Sequence, residues 1–172
     1  MLRKMDLLYK DGNKETRPNE VTYTAVINCC AFPAFLDSRT RRKALDTAIF
    51  TLEELQSSRY CQPNQVSYGT FIKACANLLH DDDETRGEIV EKTFQQCCKD
   101  GQVGDMVLAY LRKAAPADIY ESLLEDYICK ETARISVADL PPEWRCNVQE
   151  KSRTKWKHHV KRTGVRTGNL RP

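Results

Sequence analysis

Pro18-Asn19-Glu20-Val21-Thr22-Tyr23-Thr24-Ala25-Val26-Ile27-Asn28-Cys29-Cys30-Ala31 occurs twice. It returns 45 residues later as Pro63-Asn64-Gln65-Val66-Ser67-Tyr68-Gly69-Thr70-Phe71-Ile72-Lys73-Ala74-Cys75-Ala76, with half of the fourteen positions identical. Most of the remaining positions carry mild exchanges, such as Thr for Ser and Glu for Gln. Self-similarity at a fixed spacing marks a repeat architecture, in which each unit buries its apolar face by stacking on a neighbour.

In each copy Pro-Asn opens a helix. Proline disfavours helical geometry in the residue before it, and Asn19 or Asn64 can accept from the first free backbone donors of the new helix. Apolar positions then fall at Tyr23, Val26, Ile27 and Cys30, and at Tyr68, Phe71, Ile72 and Cys75. This i, i+3, i+4, i+7 spacing is one stripe of an α-helix. A second stripe follows each: Leu45, Ala48, Ile49, Leu52 and Leu55, then Ile89, Val90, Thr93, Phe94 and Cys97. Two amphipathic helices per unit predict a helical hairpin, and stacked hairpins predict an all-α fold, an α-solenoid.

Val21-Thr22-Tyr23-Thr24-Ala25-Val26-Ile27, then Ala48, Leu52 and Leu55, then Pro63-Asn64, together resemble a pentatricopeptide repeat. Repeats of that family are helical hairpins of roughly 35 residues. The family binds single-stranded RNA, typically in mitochondria and chloroplasts. The tetratricopeptide repeat, which binds peptides, shows Trp-x2-Leu-Gly-x2-Tyr in its first helix, and that pattern is absent here. The departure is length: 45 residues per unit implies about ten inserted between the two helices, placed at Phe32 to Arg41 with Pro33 as helix breaker.

This reading divides the chain into the second half of a truncated repeat (1–17), two repeats (18–62 and 63–105), a degenerate capping hairpin (106–130) and an extended basic tail (131–172). Residues 2–9 read as the end of a second helix with no first helix before it, so the chain reads as starting mid-repeat, a gene fragment or a piece of a longer solenoid. That end is expected to expose apolar surface open to further repeats or a protein partner. In the third hairpin Val107, Tyr110, Leu111 and Ala114 form one stripe and Ile119, Tyr120, Leu123, Leu124 and Tyr127 another, broken at Pro116.

Composition sets limits on function. Hydrophobic residues make up 41% and charged residues 30%, mean hydropathy is −0.59, and no apolar run approaches the ~18 residues of a membrane span. No membrane partner is expected. The eight cysteines include no Cys-x2-Cys pair and several lie on helix stripes, so they read as reduced core residues. Asp81-Asp82-Asp83-Glu84 reads as a solvated loop before a helix rather than a cation site, because consecutive carboxylates point in different directions. His158 and His159 read with the basic run rather than with Cys146 as metal ligands. No nucleophile with a paired base, glycine-rich phosphate loop or zinc motif is present, so neither catalysis nor a metal or other cofactor is expected.

From Arg145 onward nine Lys/Arg face one acid, Glu150, giving +8 against −5 for residues 1–144 and a net charge of +3. Such a tail is expected to be disordered when free, and Lys151, Arg153, Lys155, Lys157, Lys161 and Arg162 are candidates for contacting phosphate. Localisation to a mitochondrion or chloroplast is implied by the family only. The chain shows no clear transit peptide, and a cytoplasmic location stays open.

Base reading comes from the resemblance. In the family the residue after the Tyr and the residue after the closing Pro read one base. These map to Thr24 with Asn64 in the first unit and Gly69 with Asp105 in the second, while Asn19 is the counterpart of Asn64 one unit earlier. Val21 and Val66 map to the residues that sandwich the base. Thr with Asn is the family's adenine pair, whereas Gly69 has no side chain to read with. The resulting expectation is a sequence-selective single-stranded RNA-binding module acting in organellar RNA processing or stability. The alternatives are a protein-interaction scaffold and, in the minority, a metal-dependent nuclease.

Overall fold

The computed structural model describes residues 2–32, 37–80, 84–128 and 135–148. Among them every regular element is helical: α1 (Leu2–Lys10), α2 (Glu20–Cys30), α3 (Ser38–Gln56), α4 (Gln65–Leu78), α5 (Glu84–Lys99), α6 (Asp105–Ala114), α7 (Ala117–Leu124) and the short α8 (Pro142–Arg145). Single 3-10 turns at Lys14–Thr16, Glu125–Tyr127 and Val137–Asp139 join them.

The two copies of the repeated phrase start their helices in the same way. Asn19 Oδ1 accepts from Thr22 N at 2.9 Å, and Asn64 Oδ1 accepts from Val66 N at 2.9 Å and Ser67 N at 3.0 Å. Thr22 and Ser67 return the bond to the cap backbone, completing a capping box, so the Thr-for-Ser exchange preserves its chemistry. Each cap contributes on the order of 1 kcal/mol.

Helix α4 is the centre of the molecule. It packs against α2, α3, α5 and α6, most extensively against α6. Tyr68, Ile72 and Cys75 are fully buried and Phe71 almost so, joined by Ile27, Leu45, Leu55, Val90, Phe94 and Leu111. Burying one such side chain stabilises the fold by roughly 1.5–3 kcal/mol. Asn77 Nδ2 donates to Ala31 O at 2.7 Å, tying α4 to the end of α2. The Tyr68 hydroxyl donates to Asp100 Oδ2 at 2.5 Å, and Gln96 Nε2 donates to Asp100 Oδ1 at 2.9 Å, so the buried polar atoms at the end of α5 are satisfied.

The polar stretch placed between the first unit's helices is shorter than expected. Ser38–Arg41 belong to α3, whose start Asp37 caps by accepting from Thr40 N at 2.8 Å. Much of the extra length of the first unit is therefore a long second helix, 19 residues, rather than a loop. The third unit places α6 on α4 and α7 on α5.

The extended tail expected from residue 131 is corrected for 135–148. This segment folds back onto α5: Leu140 is buried, and the Trp144 ring stands edge-on to Phe94 at 5.9 Å and Tyr127 at 5.3 Å. Three hydrogen bonds fasten it to the α5–α6 turn: Val103 N to Trp144 O, Asn147 N to Gly101 O, and Asn147 Nδ2 to Asp100 O, at 2.8, 2.9 and 3.0 Å. Gly101 closes α5 with φ +66°, the left-handed conformation that suits a helix C-terminus. A Cβ there would lie 2.5 Å from Cys146 Sγ and 3.1 Å from the Glu143 carbonyl oxygen. Gly101→Ala is therefore expected to cost ~1–2 kcal/mol and to release Trp144. Trp144 becoming quencher-accessible would show it, and unchanged fluorescence and melting would refute it.

Among the described residues no helix is long and apolar enough to cross a membrane. Seven cysteines lie in this region, all free thiols, with Cys75 and Cys97 in the core.

Candidate nucleic-acid interface

Side-by-side packing of α2 and α4 leaves a cleft of about 580 Å³ above the first turns of both helices. Val21, Thr24, Asn64 and Val66 all line it, together with Glu20, Ala25, Asn28 and Thr70. Val21 is two-thirds exposed, an apolar side chain left in solvent at the rim. Thr24 and Asn64 are half-buried, 40 residues apart in sequence and brought together only because the second copy stacks on the first.

Hydrogen bonding fixes the amide orientation of Asn64. Asn64 Oδ1 takes two backbone N–H bonds and also accepts from Ser67 Oγ at 3.2 Å. Its amide orientation is thus set by the cap, leaving Nδ2 as the donor end. Thr24 Oγ1 and Ser67 Oγ are in hydrogen-bond contact at 2.9 Å, and whichever hydroxyl donates, Thr24 Oγ1 keeps a lone pair as an acceptor. Thr24 Oγ1 as an acceptor and Asn64 Nδ2 as a donor line the cleft together with Val21 and Val66, beside the further polar groups of Glu20, Asn28 and Thr70.

A second cleft of about 400 Å³ adjoins the first and shares Glu20, Asn64 and Val66 with it. Its other walls include Tyr60, Gln65, Gln102 and Asn147. None of the residues lining either cleft is a lysine or arginine.

The remaining expected readers lie elsewhere. Gly69 is buried against α6, where a Cβ would stand 3.0 Å from Met106 Cγ. The absent side chain lets the two helices approach closely. Asp105 is exposed as the first residue of α6, and the exposed Asn19 spends its Oδ1 on Thr22 N and Thr22 Oγ1. Lys151, Arg153, Lys155, Lys157, Lys161 and Arg162 lie outside the described residues, as do Asp81, Asp82 and Asp83 and both His158 and His159. Among the described residues no group of three His, Cys, Asp or Glu is placed to hold a metal ion.

Sequence reasoning missed Glu20, Asn28, Ser67 and Thr70. Asn28 carried a usable signal, since it sits one turn beyond Thr24 on the same face. Ser67 carried another as the counterpart of the cap residue Thr22.

No protein-family model matches the chain, no curated protein matches it, and no solved structure matches it.

Proposed function

We propose that the chain is a pentatricopeptide-like α-solenoid that binds single-stranded RNA without cleaving it, taking an adenine in the cleft between α2 and α4. The observation that carries this reading is the convergence of Val21, Thr24, Asn64 and Val66 on one cleft, with the Asn64 amide oriented by its cap. Adenine offers an amino donor beside a ring-nitrogen acceptor, the complement of Thr24 Oγ1 and Asn64 Nδ2. Cytosine presents the same order, so discrimination acts mainly against guanine and uracil. The valines supply apolar contact to the base faces. Stacking contributes on the order of 1–3 kcal/mol per base, so one cleft gives weak affinity and clear preference. Organellar RNA processing or stability is the setting that the family resemblance implies, and the basic residues beyond 148 are its candidate phosphate contacts.

The test is fluorescence anisotropy with short single-stranded RNAs, adenine-containing against uracil-only, comparing the native chain with Asn64→Asp. A carboxylate keeps the cap to Val66 N and Ser67 N but replaces the donor Nδ2 by an acceptor. Adenine preference is expected to fall by about tenfold and to move toward bases that present a ring N–H. Retained adenine preference in Asn64→Asp refutes the assignment. Asn64→Ala is the poorer probe, because it also removes the α4 cap.

A protein-interaction scaffold is favoured by a different feature. Phe50 and Leu7 are 69% and 61% exposed, and a groove of about 410 Å³ between α1 and the α2–α3 pair is lined by Leu2, Val26 and Phe50 beside the charged Arg3, Asp46 and Glu54. Absence of RNA binding at low salt would leave this as the better reading.

A further inference from the structure

We infer that the cleft adjoining the adenine site is a second nucleotide subsite in which Glu20 accepts a hydrogen bond from a ribose 2′-hydroxyl, so that the chain prefers RNA to DNA of the same sequence. The inference rests on the nucleic-acid reading above. It does not depend on which base that site selects.

Charge is the first argument. A cleft that held phosphate would carry cations, yet neither cleft is lined by lysine or arginine, and of the three residues that line both, Glu20 is an acid. Glu20 has no ion pair among the described residues. A carboxylate in this position repels phosphate and can only accept hydrogen bonds, so the ligand group it suits is an uncharged donor. In a single strand the backbone donor is the 2′-hydroxyl, which RNA carries and DNA lacks.

The remaining walls suit a nucleoside. Tyr60 lines the cleft as a 41% exposed residue, and Tyr9 braces its ring edge-on at 5.2 Å and 76°. An aromatic held in this way is a stacking platform for a base of any identity. Gln102 Oε1 accepts from Gln65 N at 3.1 Å, which fixes the amide and turns Nε2 into the donor available to a base edge or sugar oxygen. Because Glu20, Asn64 and Val66 line both clefts, a strand with one base between the valines runs directly into the second cleft.

The experiment measures affinity for adenine-containing single-stranded RNA and for DNA of identical sequence, together with uracil-only and thymine-only controls, in the native chain, Glu20→Ala, Glu20→Gln and Tyr60→Ala. The native chain is expected to bind the RNA about tenfold tighter than the DNA, the scale of one hydrogen bond to a charged acceptor. Glu20→Ala should bring that ratio toward one, and Glu20→Gln, which keeps an acceptor oxygen, should hold it between the two. Removing a negative charge, or loosening α2, acts on both backbones alike and cancels in the ratio. Tyr60→Ala should weaken both backbones by the same factor. An unchanged ratio in Glu20→Ala, or unchanged affinities in Tyr60→Ala, overturns the inference. Equal RNA and DNA affinity with adenine preference intact sinks the ribose site and leaves the base reading standing. A Glu20-dependent ratio without adenine preference does the reverse.

Discussion

Between about pH 9 and about pH 11 the chain is expected to lose stability steeply, because the core holds thiols and a phenol that cannot ionise in place. Burial pushes the Cys75 and Cys98 thiols up to about 12 from an ordinary 9.0, and Cys97 higher still. Arg86 pulls Cys75 the opposite way without overcoming burial. Tyr68 is raised by burial first and by its bond to Asp100 second. The sign follows from proton counts. Above pH 9 the unfolded chain releases protons that the folded chain retains, so stability is full below that pH and falls as pH rises toward the folded values. A buried thiol such as Cys75 contributes a loss of about 1.4 kcal/mol per pH unit, with less from the more solvated Cys98. Two deeply buried thiols would remove roughly 5 kcal/mol by pH 11, comparable to the whole stability of many small domains. Urea midpoints under reducing conditions at pH 8, 9.5 and 11 would measure this, and Cys75→Ala should shallow the slope. A flat profile would show that the core admits water.

Replacing Arg86 by Met should lower the unfolding free energy by about 3 kcal/mol. Arg86 is 4% exposed, and its guanidinium closes the end of α6: Nε donates to Ala114 O at 2.7 Å and Nη2 to Lys113 O at 2.6 Å. Those carbonyls belong to the last turn, which has no intrahelical donors and carries the negative end of the helix dipole. The guanidinium sits against the negative end of that dipole. Methionine fills the volume but takes the guanidinium from both oxygens, leaving that of the buried Ala114 unpaired. Lysine retains the charge yet cannot reach both carbonyls with one planar group, so Arg86→Lys should recover only part of the loss. Hydrogen exchange should localise the effect to α6 and the turn before α7, where Gly87 lies so close to Ile119 that a Cβ would come within 2.5 Å of its Cδ1. A change below ~0.5 kcal/mol would mean that water replaces the guanidinium.

The helices were legible because their stripes are unambiguous: Leu45, Ala48, Leu52 and Leu55 are buried as their spacing requires. The start of α3 was not, since Ser38-Arg39-Thr40-Arg41 shows no apolar stripe. Asp37 three residues before Thr40 was the signal, the capping pattern already read at Asn19 and Asn64. The docking of Trp144 was hidden by the charge change at Arg145, because composition averages over a segment whereas one aromatic and Leu140 anchor it. The meeting of Thr24 with Asn64 could not be read from spacing at all. The family resemblance paired them, and the stacking of α4 on α2 places them on one cleft. Glu20 and Gln102 had no such guide.

The sequence by itself determined where the repeated helices begin and which stripe of each is apolar, because capping and periodicity are local chemistry. Only the tertiary structure decided how much of each copy is buried. Thr22, Ala25 and Cys29 of α2 are half-buried or exposed, whereas their counterparts Ser67, Thr70 and Ala74 in α4 are buried. Nearly the same phrase has two environments because α4 packs against α6 as well as α2, and burial depends on the neighbours as well as on the residue.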